Sequence, residues 1–231
     1  MSFSNDFFDI NTNIFYQKEI FTKDSISDLV RKVKICMDNL NIESNQVVAV
    51  IMQKRPELLV DILALYSYGI PFLPIDSAQP RNRIEYMLEE AKAKTIITDG
   101  CLEWLNSSCE HIIYQNEINN EMSASDIAVN EEKNEISYIL FTSGTTGKPK
   151  GIQVKRIGLN NFLEGMHDVL DLSGVERIGC FTTQGFDIFF LESLYAFYEQ
   201  KDIVIADEEE QRNPNIMAGL IEQQKIDLVQ F

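Results

Sequence analysis

A loop near the middle of the chain, between residues 142 and 151, is rich in glycine, hydroxyl and lysine side chains. Backbone N–H groups beside glycines can approach phosphate oxygens closely, hydroxyls add donors, and lysines neutralise charge. The residues that we expect to bind phosphate are Thr142, Ser143, Gly144, Thr145, Thr146, Gly147, Lys148 and Lys150. The glycine spacing fits neither the Walker loop nor the dinucleotide fingerprint. A flexible hydrophilic turn is the structural alternative.

Composition argues against several other functions. The chain has 231 residues and a formal net charge of -16, which disfavours nucleic acid and anionic membrane surfaces as partners. No apolar run approaches the roughly 20 residues that a membrane helix needs, and the first residues do not resemble a secretory signal, so we expect a cytoplasmic protein. Cysteine and histidine spacing predicts no metal site. These residues are Cys36, Cys101, Cys109, Cys180, His111 and His167.

The elements that must position the loop alternate between apolar runs and amphipathic stretches. Strands are predicted at 47–52, 72–75, 95–98, 112–114, 136–141, 178–181, 203–206 and 227–231. Helices are predicted at 26–40 with Ser25 as the cap, and at 56–68, 81–93, 158–170, 188–198 and 214–225. This alternation predicts an α/β fold with mainly parallel sheets flanked by helices. The strand at 136–141 leads directly into the glycine loop.

The chain is expected to divide into two α/β parts, residues 1–114 and 135–231. Residues 115–134 are polar and acidic with little periodicity, which predicts a linker or long surface loop. The last residues form an apolar strand, and domains seldom end inside a core strand. We therefore expect that more protein normally follows Phe231, although a docked terminal strand is the alternative.

The string from Tyr138 to Gly151 closely resembles the phosphate loop of adenylate-forming enzymes. That superfamily includes acyl-CoA ligases, luciferases and the adenylation domains of nonribosomal peptide synthetases. The resemblance implies that the loop binds ATP phosphates and that Lys150 helps to neutralise them. Residues 65–76 and 80–88 are similar to a structural motif of the peptide-synthetase branch. The chain then corresponds to part of the large N-terminal subdomain of the adenylate-forming fold.

The segment Phe186–Glu192 resembles the family motif whose aspartate binds the α-amino group of the substrate. An ammonium in an apolar pocket needs a buried counter-charge, which Asp187 would supply. A helix N-cap is the structural alternative for Asp187. By the same resemblance, Asp187, Ile188, Leu191 and Gln230 are expected to line the pocket, in a pattern associated with glycine or another small amino acid.

The resemblance implies an ATP-dependent amino-acid activation that uses ATP with Mg²⁺ and yields an aminoacyl-AMP for a carrier protein. The adenine and ribose motifs and the C-terminal domain with the catalytic lysine lie outside the resemblance, so no catalytic residue is assigned. We expect a fragment or split half, inactive without its C-terminal part. Alternatives are an aryl or acyl ligase, or a non-catalytic binding module. Arg156, where a histidine is usual, and Phe189, where a small residue is usual, depart from the family pattern.

Overall fold

The computed structural model describes residues 10–100, 104–105, 109–120, 134–143 and 148–230. These residues form two compact units. The first unit contains the described residues up to Ser27, then Lys54–Leu59 and the chain from Asn160 onward, and the second contains Asp28–Gln53 and Val60–Leu159. Among the described helices, none combines the length and the apolar character that crossing a bilayer requires.

The secondary structure alternates along the chain. The strands are β1 (Ile14–Tyr16), β2 (Glu19–Phe21), β3 (Val48–Ile51), β4 (Phe72–Ile75), β5 (Thr95–Thr98), β6 (His111–Tyr114), β7 (Ile136–Thr142), β8 (Lys150–Lys155), β9 (Arg177–Cys180) and β10 (Asp202–Ile205). The helices are α1 (Lys23–Asn39), α2 (Pro56–Ser67), α3 (Arg81–Ala91), α4 (Gln115–Asn120), α5 (Arg156–Val169), α6 (Phe189–Glu192), α7 (Leu194–Tyr198), α8 (Glu208–Arg212) and α9 (Pro214–Gln224).

The second unit contains a six-stranded sheet in the order β6-β5-β3-β4-β7-β8. All neighbouring pairs are parallel except β7 and β8, which form an antiparallel pair at one edge. Every residue of β3, β4 and β5 is buried, as expected for central strands that are covered on both faces. Helix α2 begins at Pro56, and Gly69 with φ of 77° follows its end, where a left-handed residue favours glycine.

The first unit contains a four-stranded sheet in the order β2-β1-β10-β9. Strand β1, from the start of the described chain, pairs in parallel with β10, which in turn pairs in parallel with β9. The chain leaves β1, β10 and β9 at one edge of the sheet, after Tyr16, Ile205 and Cys180. In open α/β sheets this carboxyl edge is where ligands bind. The predicted α/β class, with mainly parallel sheets flanked by helices, is confirmed.

Several predicted elements need correction. The loop predicted for 115–134 begins with helix α4, which is anchored by the fully buried Ile118; residues 121–133 lie outside the described part of the chain. Helix α1 starts at Lys23, before the predicted cap Ser25. The terminal strand predicted for 227–231 is a single parallel bridge between Leu228 and Ile178.

The helix predicted for 188–198 is two short helices, α6 and α7, separated by Ser193. The Ser193 hydroxyl donates to the Phe189 carbonyl at 2.7 Å, a bond that competes with regular helix geometry. Strands β1, β2 and β8 and helix α8 were not predicted. β1 and β2 have three residues each and α8 has five, while β8 has six residues of which five are exposed, so none of them shows a clear apolar period.

Candidate functional site

The predicted phosphate loop connects two antiparallel strands. β7 and β8 pair in register from Thr142 opposite Lys150 at the end that carries the loop. Four of the predicted ligands are described, and all are exposed: Thr142, Ser143, Lys148 and Lys150. The remaining ones, Gly144, Thr145, Thr146 and Gly147, lie outside the described residues. A hairpin with hydroxyls on the entering side and lysines on the leaving side can offer donors and positive charge to one anion.

Tyr86 of helix α3 supports both stems of this hairpin. Its hydroxyl donates to the carbonyl of Pro149 at 3.1 Å, and its ring lies edge-on to Phe141 of β7, with centroids 6.4 Å apart. The Lys148 ammonium lies 5.9 Å from the centre of the same ring. Sequence reasoning gave the 80–88 segment a structural role only, and it missed this contact because residue spacing does not reveal which helix faces the loop.

Gly151 of β8 lies directly against an aromatic ring of the neighbouring strand. A Cβ at this position would lie 3.1 Å from the ring of Phe141. This is tighter than ordinary van der Waals contact, so a larger residue would require the Phe141 ring to shift by a few tenths of an ångström.

Three of the four predicted pocket residues lie in the segment from Thr182 to Glu192, which follows β9 at the carboxyl edge of the first unit's sheet. Asp187 is exposed, and Ile188 and Leu191 are partly buried. The Asp187 carboxylate accepts the N–H of Ile188 at 2.9 Å. The N-cap residue of α6 is Ile188, and no side chain caps that helix, so Asp187 does not serve as its N-cap. The exposure of Asp187 differs from the buried counter-charge expected from the sequence.

The fourth predicted pocket residue, Gln230, follows two residues, Asp227 and Leu228, that are held beside β9. The carboxylate of Asp227 accepts the N–H groups of Glu176 and Arg177 at 2.9 and 3.0 Å. These hydrogen bonds lower the pKa of Asp227. The N–H of Gly179 donates to the Leu228 carbonyl at 2.8 Å, and Gln230 itself is exposed. The segment therefore runs alongside β9 in the same direction, and the 182–192 segment leaves the carboxyl end of that strand.

Two charged residues in the first unit, the buried Glu192 and the partly buried Lys54, were not predicted as functional. Glu192 is 2% exposed, and it accepts the N–H groups of Phe181 and Thr182 at 2.8 and 2.7 Å. The Lys54 ammonium donates to the carbonyls of Cys180 and Thr182 at 2.9 and 3.3 Å. Burial raises the pKa of Glu192 and lowers the pKa of Lys54, while their mutual attraction opposes both shifts. The sequence did contain a signal for Glu192, because it is the single acidic residue in the largely apolar and aromatic stretch 189–198.

The two departures from the family pattern both have structural roles. Arg156 donates to the carbonyls of Tyr66 and Asn134 at 2.8 and 3.3 Å, and its guanidinium lies 4.8 Å from the centre of the Tyr66 ring. Burial lowers the pKa of Arg156. Phe189 is fully buried, with its ring edge-on to Phe190 at 5.5 Å. Arg156 thus secures the end of α2, and Phe189 is a core residue.

The predicted ligands fall into two groups. Those expected to bind phosphate belong to the second unit, and the four expected to bind the amino acid belong to the first unit. Among the residues that the structure describes, no group of three or more His, Cys, Asp or Glu side chains is arranged to hold a metal ion.

Comparison with known proteins identifies the relatives of this chain. Residues 12–231 match the AMP-binding enzyme family. The chain is 31% identical to a dimodular nonribosomal peptide synthase of Bacillus subtilis (strain 168), over 94% of this chain and 10% of that protein. It is 27% identical to tyrocidine synthase 1 of Brevibacillus parabrevis, over 71% of this chain and 15% of that protein. The chain therefore spans a small part of the relatives that it matches.

Solved structures share the fold. The N-terminal subdomain of Klebsiella oxytoca NpsA superimposes with a TM-score of 0.83 at 20% identity, over 97% of this chain and 60% of that one. A four-domain nonribosomal peptide synthetase, holo-AB3403, solved with AMP and glycine, gives 0.80 at 21% identity, over 96% of this chain and 17% of that one. From the family match over residues 12–231 and the 31% identity to a nonribosomal peptide synthase over 94% of this chain, we conclude that the chain belongs to the AMP-binding enzymes, as the N-terminal part of an adenylation domain of the nonribosomal peptide synthetase type.

Proposed function

We propose that this chain supplies the phosphate loop and the amino-acid anchor for ATP-dependent activation of an amino acid. In this reaction a carboxylate oxygen of the amino acid attacks the α-phosphorus of ATP. The bond from that phosphorus to the bridging oxygen of the β-phosphate breaks, and aminoacyl-AMP and pyrophosphate are formed. The observation that carries the proposal is the family's phosphate-loop string, set between β7 and β8 with its described hydroxyls and lysines exposed.

The roles proposed for individual residues follow from their chemistry. Thr142, Ser143, Lys148 and Lys150 contact phosphate oxygens, together with the loop residues Gly144–Gly147. Lys150 neutralises charge that shifts to the departing pyrophosphate, so it should act on the nucleotide and not on the amino acid. Mg²⁺ accompanies ATP as its phosphate complex, which is how this ion commonly enters phosphate-transfer sites.

We propose glycine or another small amino acid as the substrate. Asp187 pairs with the α-ammonium, and Ile188, Leu191 and Gln230 line the pocket. Support comes from the resemblance of these four residues to a glycine pattern, and from the structural neighbour solved with AMP and glycine. Asp187 is exposed in this structure, and an ion pair in contact with water contributes little to affinity. The proposal therefore requires that water is excluded from around Asp187 when the substrate and the rest of the enzyme are in place.

An aryl acid is the second candidate substrate. One structural neighbour, the NpsA N-terminal subdomain, has been solved in complex with 3-hydroxybenzoyl-AMSN, with a TM-score of 0.83 at 19% identity. An aryl acid without an amino group has no use for the Asp187 carboxylate. Aryl acids are therefore the necessary comparison in any substrate panel.

We further propose that the 231 residues bind ATP but need the C-terminal part of an adenylation domain for turnover, and that a carrier protein receives the product. The first test is calorimetric titration of the chain with Mg²⁺–ATP. Saturable binding that weakens in Lys150→Ala supports the proposal. Binding that is unchanged by this substitution would instead favour a non-catalytic module that has kept the fold.

A further inference from the structure

The segment that carries Asp187 leaves β9 as an irregular turn and returns to regular structure only at α6. Thr183, Phe186 and Asp187 are exposed, and Phe186 is 64% exposed despite its apolar ring, whereas Gln184 between them is buried. Because the part around Asp187 is exposed, it needs anchors on either side if this carboxylate is to hold one position.

Glu192 provides an anchor that joins the two ends of the segment. One carboxylate oxygen accepts both backbone N–H groups of Phe181 and Thr182, and the other accepts the Thr182 hydroxyl at 2.7 Å. Glu192 follows Leu191 directly. Its three hydrogen bonds therefore close the stretch 182–192 into a loop that contains Asp187, Ile188 and Leu191.

Lys54 binds the same turn as a hydrogen-bond donor, whereas Glu192 binds it as an acceptor. Its ammonium binds the carbonyls of Cys180 and Thr182, whereas Glu192 binds the N–H groups of Phe181 and Thr182. The two side chains thus satisfy donors and acceptors of three consecutive residues. All of these residues belong to the first unit.

Their charges also depend on each other. Glu192 is buried, Lys54 is partly buried, and the two charges attract each other, so removing one leaves the other less compensated. The Glu210 and Asp207 carboxylates also act on Lys54, but Glu210 is engaged in capping α8, where it accepts the N–H of Asp207 at 2.8 Å. Glu192 is the carboxylate that shares the 180–182 turn with Lys54.

We propose that Lys54 and Glu192 form a charged clamp on residues 180–182 that positions Asp187, Ile188 and Leu191 for the amino acid. Both are positioning residues, because they act through the segment and not on the substrate. The proposal has two parts: the clamp restrains the segment, and this restraint raises the affinity for the amino acid. The second part rests on the proposed function, whereas the first is a property of the protein without any ligand.

The restraint is tested by hydrogen–deuterium exchange of the full 231-residue protein without ligand, read from peptides covering 181–188. Glu192→Ala should speed exchange there by about tenfold, since it removes the acceptors of the Phe181 and Thr182 amides. Peptides from β10 serve as the internal reference. Glu208→Ala, which removes an exposed acid that pairs with Arg212 at 3.3 Å, is the control variant and should change nothing in 181–188.

Two further variants distinguish loss of the clamp from a general loss of folding. Glu192→Gln can keep all three hydrogen bonds if the Thr182 hydroxyl turns to accept, so it should exchange more slowly than Glu192→Ala. The double variant K54M/E192Q removes both charges together, and its effect should be smaller than the sum of the two single effects, because no unpaired charge remains.

The effect on substrate is tested by titrating each variant separately with glycine and with Mg²⁺–ATP. Glu192→Ala should raise the dissociation constant for glycine about tenfold, as small displacements of binding groups do, and leave that for ATP within about twofold. Glu192→Gln should restore much of the glycine affinity. A variant that only destabilises the protein would weaken both ligands together.

The outcomes separate the clamp from the proposed function. Unchanged exchange of 181–188 in both Glu192→Ala and Lys54→Met would overturn the clamp. Equal losses of glycine and ATP affinity would overturn its role in positioning. A wild-type protein that binds neither glycine, alanine nor serine would overturn the proposed substrate and the affinity claim with it, while the exchange data would still decide whether the clamp exists.

Discussion

At the scale of single residues, the proposed function rests on Lys150 for the nucleotide and on Asp187 for the amino acid. The chain offers a control residue of the same charge for each, Lys155 and Asp171, so a specific contact can be distinguished from the effect of charge alone. Lys150 and Asp187 were predicted from short ordered strings whose residue types match the chemistry of an anion and of an ammonium. Glu192, Lys54 and Tyr86 were not predicted. Their contacts join residues distant in sequence, and spacing along one strand or helix contains no record of such partners.

Replacing Lys150 by alanine should weaken binding of Mg²⁺–ATP about tenfold, because a hydrogen bond to a charged group contributes about 1.5–3 kcal/mol. Isothermal titration measures this directly. Lys155→Ala is the matched control, since Lys155 lies at the other end of β8 and pairs with Glu135 at 2.5 Å. Equal losses in the two variants would show that general surface charge, and not the loop, attracts the nucleotide.

Replacing Asp187 by asparagine should weaken glycine binding about tenfold or more, since the amide keeps the shape but cannot neutralise an ammonium. Binding of Mg²⁺–ATP should be unchanged. Asp171→Asn, which changes another exposed aspartate of the first unit, is the control. NMR titration with glycine and with benzoate distinguishes the hypotheses, and an Asp187→Asn protein that binds glycine as the wild type does would remove Asp187 from the pocket.

At the scale of elements, apolar runs predicted the central strands well because β3, β4 and β5 are buried on both faces. Two of the strands that were not predicted, β2 and β8, are exposed edge strands. β2 has two exposed residues of three and β8 has five of six, so no buried apolar run marks them, although the edge strands β6 and β9 were predicted. The split between α6 and α7 follows from the Ser193 hydroxyl bond and the turn of Glu192 toward β9, neither of which a helical period reveals.

Tyr86→Phe tests the link between helix α3 and the phosphate hairpin. It deletes the hydrogen bond to the Pro149 carbonyl and keeps the ring against Phe141. We expect ATP affinity to fall about fivefold, since a neutral hydrogen bond contributes about 1 kcal/mol. Tyr114→Phe, in β6 at the opposite edge of the same sheet, is the control. Unchanged ATP affinity in Tyr86→Phe would mean that the hairpin holds its shape without this bond.

Asp227→Ala tests how the segment leading to Gln230 is held. The carboxylate accepts two backbone N–H groups, so the variant should unfold more easily by about 1 kcal/mol at pH 7, a modest value because the group is exposed. The pKa of Asp227 is lowered in the folded protein, so its stabilising effect is complete above the unfolded pKa of about 3.9 and is lost as the pH falls through the folded value.

The difference in unfolding free energy between wild type and Asp227→Ala should therefore shrink when urea unfolding is repeated at about pH 3. Glu222→Ala, an exposed acid of α9, provides the comparison. A difference that stays constant between the two pH values would assign the effect to the lost side chain and not to the ionised carboxylate.

At the scale of the whole molecule, the α/β class and the family followed from the sequence. Which strands and helices belong to each of the two units did not. The first unit's sheet pairs β1 with β10, so strands from both ends of the described chain lie side by side. Local patterns identify strands and say nothing about such long-range pairing. The chain spans 10–15% of the curated relatives described above.

The central claim, activation of an amino acid through this loop and pocket, is tested most directly by ATP–pyrophosphate exchange. Residues 1–231 would be joined to the part of the Bacillus subtilis synthase that follows the segment matched by this chain, and assayed with glycine, alanine, serine and benzoate. We predict exchange that depends on glycine or another small amino acid, that is abolished by Lys150→Ala or Asp187→Asn, and that is absent from residues 1–231 alone. Exchange supported by benzoate but by none of the amino acids would contradict the account.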